Sequence, residues 1–362
     1  MQKKYVNAVR LIHDAIIKEH FPCACMEIGD KTGRIFRYWE GNKAVYPEKE
    51  PVVEDTLFDM ASVTKILSTT MIALRFIEEG LICLSDNISY YFKTPDDKKN
   101  ITIFNLLTHT SGIRPFVSIV DKAPSPEKVV ETILNLDLAF PVGCNIGYSC
   151  LGFIVLGKLL ELVGGDTLNR LSVKYVFEPL EMENTTFRAK GDNIASTDYD
   201  IQTGRCSKGI VNDNNSRFLG GIAGNAGAFS NLDDMSKFAQ MLSNMGEYKG
   251  KRYLSPATFS KAIHNYTPQM SQARGLGFLL ITDTIVNQQT ELFCTGANPP
   301  AELFSTGSYG HTGYTGTSVM VDKDTGLYVI LLTNRVHSLK LNESILRFRR
   351  VFHNSIITDY LK

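Results

Sequence analysis

FDMASVTKILSTTMIALRFIEEG, from Phe58 to Gly80, changes its periodicity part-way along. Phe58–Ala61 reads as a short extended approach. Ile66, Leu67, Met71, Leu74, Phe76 and Ile77 then follow a helical apolar stripe, and Gly80 is a helix stop. Ser62 therefore falls at a helix start and Lys65 one turn further on. Residues three apart on a helix share a face, so the hydroxyl and the ammonium can meet. Free N–H groups at a helix N-terminus also favour negative charge beside that hydroxyl. Two readings stay open at this point: Ser62 as a nucleophile served by a nearby base, or Ser62 as a plain N-cap. Ser-x-x-Lys arises by chance about once in a chain of this length. This chain repeats it at Ser125-Pro126-Glu127-Lys128, where Ser125 reads as an N-cap and Pro126 as the first helical residue.

The 362 residues are 43% hydrophobic and 21% charged, enough for two lobes with substantial cores. Lys+Arg and Asp+Glu each number 38, so formal net charge is zero, and no basic field points to nucleic acid or an anionic membrane. No apolar run approaches the ~18 residues of a membrane span. The N-terminal stretch carries Val6, Val9, Ile12, Ile16 and Ile17 as an amphipathic helix interrupted by charges. It lacks the continuous apolar core and cleavage site of a signal peptide. With an odd number of cysteines, seven, the expectation is a reduced, cytoplasmic protein, or one whose leader has been removed. There is no Cys-x-x-Cys pair for zinc, no His-Glu-x-x-His, and no Gly-x-Ser-x-Gly. No metal or cofactor is expected, and oligomeric state is not readable.

Strand signals lie at both ends. Cys23–Ile28 and Arg34–Tyr38 read as a hairpin around Gly29–Gly33. Gly275–Ile281, Gly316–Asp322 and Leu327–Thr333 follow near the C-terminus, and a helix is predicted over Leu341–Ile357. Between them, Ile103–Leu107, Glu127–Leu136, Leu151–Val163, Asn169–Phe177 and Asp233–Met245 read as helices. Gly220–Ser230 reads as a loop whose side chains are too small to obstruct a neighbour. The predicted class is α+β: one antiparallel sheet from the two ends of the chain, flanked by terminal helices, with a mainly helical lobe inserted. The expected division is 1–60 with 267–362 for the sheet and 61–266 for the helical lobe, with the active site in the cleft between.

Two further stretches can complete a serine site. Tyr148, just before the buried helix, can point its phenol into a cleft; cations nearby would lower its ordinary pKa of about 10 and make it a proton carrier. Taken alone, Tyr148 reads more readily as an aromatic at a domain edge. Tyr309–Gly316 (YGHTGYTG) has three glycines, a pattern for close backbone approach to a ligand. Its N–H groups can form half an oxyanion hole, and His311 is either a switchable charge beside it or a structural histidine.

Ser62-Val63-Thr64-Lys65, Tyr148-Ser149-Cys150 and His311-Thr312-Gly313, in that order, resemble the three signature elements of the serine β-lactamase and penicillin-binding-protein superfamily. The branch most resembled is the class C β-lactamase-like group of esterases, D-amino-acid peptidases and DD-carboxypeptidases. Leu106–Gly112, Gly221–Ser230 with Phe238–Leu242, and Leu332–His337 resemble that group too, so the likeness runs over nearly the whole chain. The resemblance implies Ser62 as the acylated nucleophile and Lys65 with Tyr148 as the general-base pair. Lys65 would hold Tyr148 near its deprotonated form. The N–H groups of Ser62 and Tyr314 would form the oxyanion hole, and His311 would stabilise charge or orient Tyr148. Cys150, Thr312, Gly313 and Arg335 would line the substrate.

The sequence departs from the family pattern twice. Cys150 stands where the family usually has an asparagine that binds the substrate amide, and a thiol is a weak donor and acceptor. His311 stands where β-lactamases carry lysine, which weakens the anchoring of a substrate carboxylate. The first departure favours esters or related small acyl compounds; the resemblance gives histidine at the second position to esterase and peptidase relatives alike. The alternatives are a D-stereospecific peptidase, penicillin-binding carboxypeptidase or weak β-lactamase, and a non-catalytic penicillin-binding or sensor protein. Cys150 itself reads either as a reactive thiol or as a small half-buried side chain. Arg335 reads as a ligand for an anionic group or as a structural ion-pair partner.

Overall fold

Two hairpin-forming stretches from opposite ends of the chain meet in one antiparallel sheet. The computed structural model describes residues 4–200, 205–283, 300–337 and 344–362. The sheet strands are β1 (Cys23–Asp30), β2 (Gly33–Ala44), β3 (Glu50–Pro51), β4 (Leu279–Leu280), β5 (Tyr309–Thr312), β6 (Ser318–Val321) and β7 (Tyr328–Thr333). They lie in the order β4-β5-β6-β7-β1-β2-β3. The seam between the two ends is β1 against β7, with Cys25 opposite Leu332 and Glu27 opposite Ile330. Both strands are buried along nearly their whole length, which is why they read as mainly apolar runs and not as an alternation; Glu27, within β1, is buried as the ion-pair partner of Arg37.

The helices that position the site are α1 (Val6–Ile17), α2 (Met71–Glu78), α3 (Cys150–Gly164), α4 (Leu232–Ser243) and α5 (Ser344–Leu361). On one face of the sheet, Ala8 and Ile12 of α1 and Phe348 and Phe352 of α5 pack on Met26, Ile28, Val329 and Leu331. On the other face, Cys25, Val319, Ile330 and Leu332 join a larger core with α2, α3 and α4. α4 falls within the 61–266 stretch but lies against β1 and β7. Among the described residues no helix is long and apolar enough to cross a membrane.

The structure adjusts several expected elements. The β1–β2 turn is two residues, Lys31-Thr32, because the Asp30 carboxylate accepts both the N–H and the hydroxyl of Thr32, at 2.8 and 2.7 Å. The expected strand Gly275–Ile281 shrinks to β4. Gly275 N–H bonds to Phe278 O at 3.0 Å, and Gly277 has φ 77° with no room for a Cβ beside Thr70. The glycine-rich Tyr309–Gly316 approach is itself strand over its first half. Of the expected helix Leu341–Ile357, residues 341–343 lie outside the described residues; the described helix α5 runs on to Leu361.

Candidate active site

The chain reaches Ser62 through a constrained corner. Phe58–Asp59 pairs with Phe229–Ser230, and Ala61 then sits at φ 45°, a conformation costly for a residue with a Cβ. The Asp59 carboxylate fixes this corner by accepting the Ala61 N–H at 2.8 Å and the Asn212 N–H at 2.7 Å. Burial pushes its pKa up to about 6. The single helix read from the sequence is three windings: a 3₁₀ turn at Ala61–Val63, a wide π turn at Lys65–Thr70, and α2. In the wide turn the hydroxyls of Ser68 and Thr69 face inward, bonding Ser172 Oγ at 2.6 Å and Gly224 O at 2.8 Å. A π winding inside a helix is rare and recurs at functional sites.

Lys65 is fully buried and directs its ammonium at three acceptors: Ser62 Oγ at 2.9 Å, Asn225 O at 2.9 Å and Cys150 Sγ at 3.5 Å. Asn225 reaches it from the Gly220–Ser230 loop, which comes this close because Gly224 lies directly on α3, where a Cβ would meet Phe153 O. Burial lowers the Lys65 pKa, but the Cys150 thiol and Tyr148 phenol beside it outweigh burial and leave it raised.

Tyr148 lies between four basic side chains. Lys65 Nζ is 4.9 Å from its ring centroid, Arg274 Cζ 5.3 Å, and the rings of His109 and His311 are 4.6 and 5.8 Å away. Its hydroxyl oxygen is sealed from solvent and makes no well-formed hydrogen bond, though it faces Lys65 and Ser62. Burial raises the phenol and outweighs the lowering by Lys65, so Tyr148 holds its proton at neutral pH. The expectation that Lys65 keeps Tyr148 near its deprotonated form is corrected by this burial.

His311 ends as a neutral ring. Nδ1–H donates to Thr312 O at 2.8 Å, while Nε2 is buried and has no hydrogen-bond partner among the described residues. Burial first, then Lys65 and Arg274, holds it well below the ordinary histidine range. A switchable charge at His311 is therefore not what the site contains; its contact is with the Tyr148 ring.

The turn after His311 is tied to the approach to Ser62. Thr315 Oγ1 donates to Asp59 O at 2.8 Å and Thr317 Oγ1 to Met60 O at 3.1 Å. Gly313 packs so tightly on this strand that a Cβ would lie 2.7 Å from Met60 O. Tyr314 is exposed, and its N–H has no hydrogen-bond partner among the described residues. Arg335 Nε donates to Tyr314 O at 2.5 Å and its guanidinium stacks 4.6 Å from the Tyr314 ring. Thr312 is half-buried beside His311.

The structure thus gathers Ser62, Lys65, Tyr148, Cys150 and His311, and brings the Gly313–Tyr314 turn against them. It leaves the second Ser-x-x-Lys outside: Lys128 is exposed and pairs with Glu131 at 2.8 Å. The sequence alone did not single out Arg274, Asn225 or Arg349, and gave His109, within Leu106–Gly112, no role at the site. His109 accepts the Ser149 N–H at 3.0 Å and so fixes the Tyr148 segment. Arg349, buried on α5, donates to Gly313 O at 2.5 Å and Thr317 O at 2.9 Å, and so holds the Tyr314 turn from behind.

Comparison with known proteins gives the family and the fold. The family model described as Beta-lactamase matches residues 24–353. A protein of Escherichia coli O157:H7 named "Putative D-alanyl-D-alanine carboxypeptidase" is 27% identical over 318 residues, covering 78% of this chain and 70% of its own length. Among solved structures, simvastatin synthase (LovD) from Aspergillus terreus superposes with a TM-score of 0.74 at 18% identity, over 100% of both chains. EstCE1, described as a hydrolase with promiscuous acyltransferase activity, gives 0.72 at 21% identity, over 96% of this chain and 97% of its own. Those two likenesses show the shared fold of sheet and helices. With a family match over most of its length, the chain belongs to the Beta-lactamase family of serine hydrolases.

Proposed function

We propose that this protein hydrolyses esters and related small acyl compounds through an acyl-enzyme on Ser62, in a cleft between the sheet unit (1–60 and 267–362) and the helical unit (61–266). The observation that carries the reading is Lys65, whose buried ammonium is shared between Ser62 Oγ and Cys150 Sγ beneath the Tyr148 ring. Lys65 and Tyr148 act as one pair that must lose a proton to become a base. The pair then takes the Ser62 proton as Oγ attacks the substrate carbonyl carbon. The oxyanion is received by the N–H groups of Ser62 and Tyr314. Tyr148 passes the proton to the leaving alcohol oxygen, the C–O bond breaks, and the acyl group stays on Ser62. Water, deprotonated by the same pair, releases the acid and restores Ser62.

Cys150 supports the ester preference. Its sulfur takes a Lys65 N–H but offers a substrate amide little in return. A second reading, a peptidase acting on D-Ala-D-Ala ends, is favoured by the name of the E. coli relative. Hydrolysis of a p-nitrophenyl ester, a penicillin and a D-Ala-D-Ala peptide, measured side by side with Ser62→Ala, separates the readings. The ester is expected to have the highest kcat/KM, and Ser62→Ala to abolish turnover with the circular dichroism unchanged. A faster peptide would favour the peptidase; acylation by penicillin with no turnover of any substrate would favour a binding protein.

A further inference from the structure

Arg274 is a buried arginine beside the candidate site, and among the described residues no carboxylate pairs with it. Among the described residues its guanidinium bonds only to the Gln272 side chain, with Nε 3.1 Å from Oε1, and it stacks on the Tyr148 ring at 5.3 Å. The backbone around it is built: Arg274 N–H donates to Thr267 Oγ1 at 2.9 Å and its carbonyl accepts from Tyr266 N–H at 2.9 Å. A buried, unpaired cation is costly and needs a reason. Tyr148 is faced by Lys65 and Cys150, by the rings of His109 and His311, and by Arg274; Asp213 acts on Lys65 from further out. Both histidines are kept neutral, in each case by burial first. Lys65 exchanges protons in the reaction. Arg274 is therefore the fixed charge: burial lowers it, Tyr148 offsets part of that, and at about 10 it stays cationic at neutral pH.

We propose that Arg274 is a positioning residue that supplies the permanent positive charge of this site, seating the Tyr148 ring and helping to draw the proton off the Tyr148–Lys65 pair. This rests on the reading of Ser62, Lys65 and Tyr148 as one catalytic group. Arg274 takes over electrostatically what a charged residue at the His311 position would do, from a different segment of the chain.

The test is the pH profile of kcat/KM on a p-nitrophenyl ester, paired with NMR titration of ring-labelled tyrosine, the Tyr148 signal being assigned with Tyr148→Phe. A unit charge a few ångströms from the phenol, in a partly shielded site, moves its titration by about 1–2 pH units. Arg274→Gln is expected to move the rising limb and the Tyr148 titration upward by that amount, lowering kcat/KM at pH 7 by ~10–100-fold. Arg274→Lys, which keeps the charge, should restore most of both. Gln272→Glu leaves Arg274 in place but pairs it with a carboxylate, and should move both readouts in the same direction as Arg274→Gln if that variant does not fold. Unmoved limbs and titrations in Arg274→Gln or Gln272→Glu would overturn the proposal, as would Arg274→Lys behaving like Arg274→Gln. The NMR readout needs no turnover. A shifted Tyr148 titration in a protein that hydrolyses nothing would sink the hydrolase reading and leave Arg274 standing.

Discussion

Cys150→Asn probes what the serine attacks. In the native site the third N–H of Lys65 points at Cys150 Sγ from 3.5 Å, a weak contact, while its other two partners are oxygens at 2.9 Å. Cys150 is half-buried at the start of α3, so an asparagine carboxamide has room to grow toward solvent. Its oxygen would accept the Lys65 N–H, and its NH₂ would be left to donate to the carbonyl of an acylamino substrate. One neutral hydrogen bond contributes ~0.5–1.5 kcal/mol, or roughly 2–13-fold. A simple acetyl ester has no acylamino carbonyl and gains nothing. The ratio of kcat/KM for a D-aminoacyl amide over that for a p-nitrophenyl ester should therefore rise about tenfold in Cys150→Asn. In Cys150→Ala, which supplies neither group, the ratio should stay near the native value. A ratio that is unchanged or falls in a folded Cys150→Asn protein would refute the idea that Cys150 sets the preference for esters.

Two further outcomes follow from the geometry. Arg349→Met removes the three bonds that hold the Gly313–Thr317 turn, the two shorter ones each worth ~1.5–3 kcal/mol from a charged donor. Displacing one oxyanion donor this way should lower kcat by ~10–100-fold with little change in KM, and scanning calorimetry should show a lower Tm. The second concerns pH and stability. His109, His311, His337 and His353 all have folded pKa values depressed by burial, the last two to about 4. An unfolded histidine takes a proton near 6.5 and the folded one does not, so the stability is present above 6.5 and is lost as pH falls toward the folded values. For fully buried His353 the loss amounts to ~3 kcal/mol once pH passes below about 4. Urea midpoints should be flat from pH 7 to 8 and fall between pH 6.5 and 4, and His353→Gln should fall less steeply.

Ser62, Tyr148 and His311 were legible because each announces itself locally: a period change, a loop-to-helix junction, a glycine-rich strand end. The decoy at Ser125 has none of this context, and its lysine lies exposed on the surface. The sheet was legible because β7 carries an uninterrupted apolar run and β1 is apolar apart from Glu27 and its terminal Asp30. What was not legible depends on contacts made across the fold. Arg274 precedes a Gly-Leu-Gly that reads as strand, and only the tight turn from Gly275 to Phe278 brings its guanidinium to Tyr148. The charge on His311 is decided by burial and by Lys65 and Arg274 from distant segments, so residue type alone could not choose between its two readings. The π winding at Lys65–Thr70 is set by partners on Ser172 and Gly224, and the apolar stripe cannot distinguish it from an α-helix.

The central claim is that Ser62 is the nucleophile, activated by Lys65 and Tyr148. The most direct measurement is covalent capture: incubation of the folded protein with a fluorophosphonate probe, intact mass spectrometry, and peptide mapping of the adduct. One adduct per chain is expected, on Ser62, absent in Ser62→Ala and formed much more slowly in Lys65→Met and Tyr148→Phe. A folded protein that takes no adduct, or takes it on another residue, would contradict it.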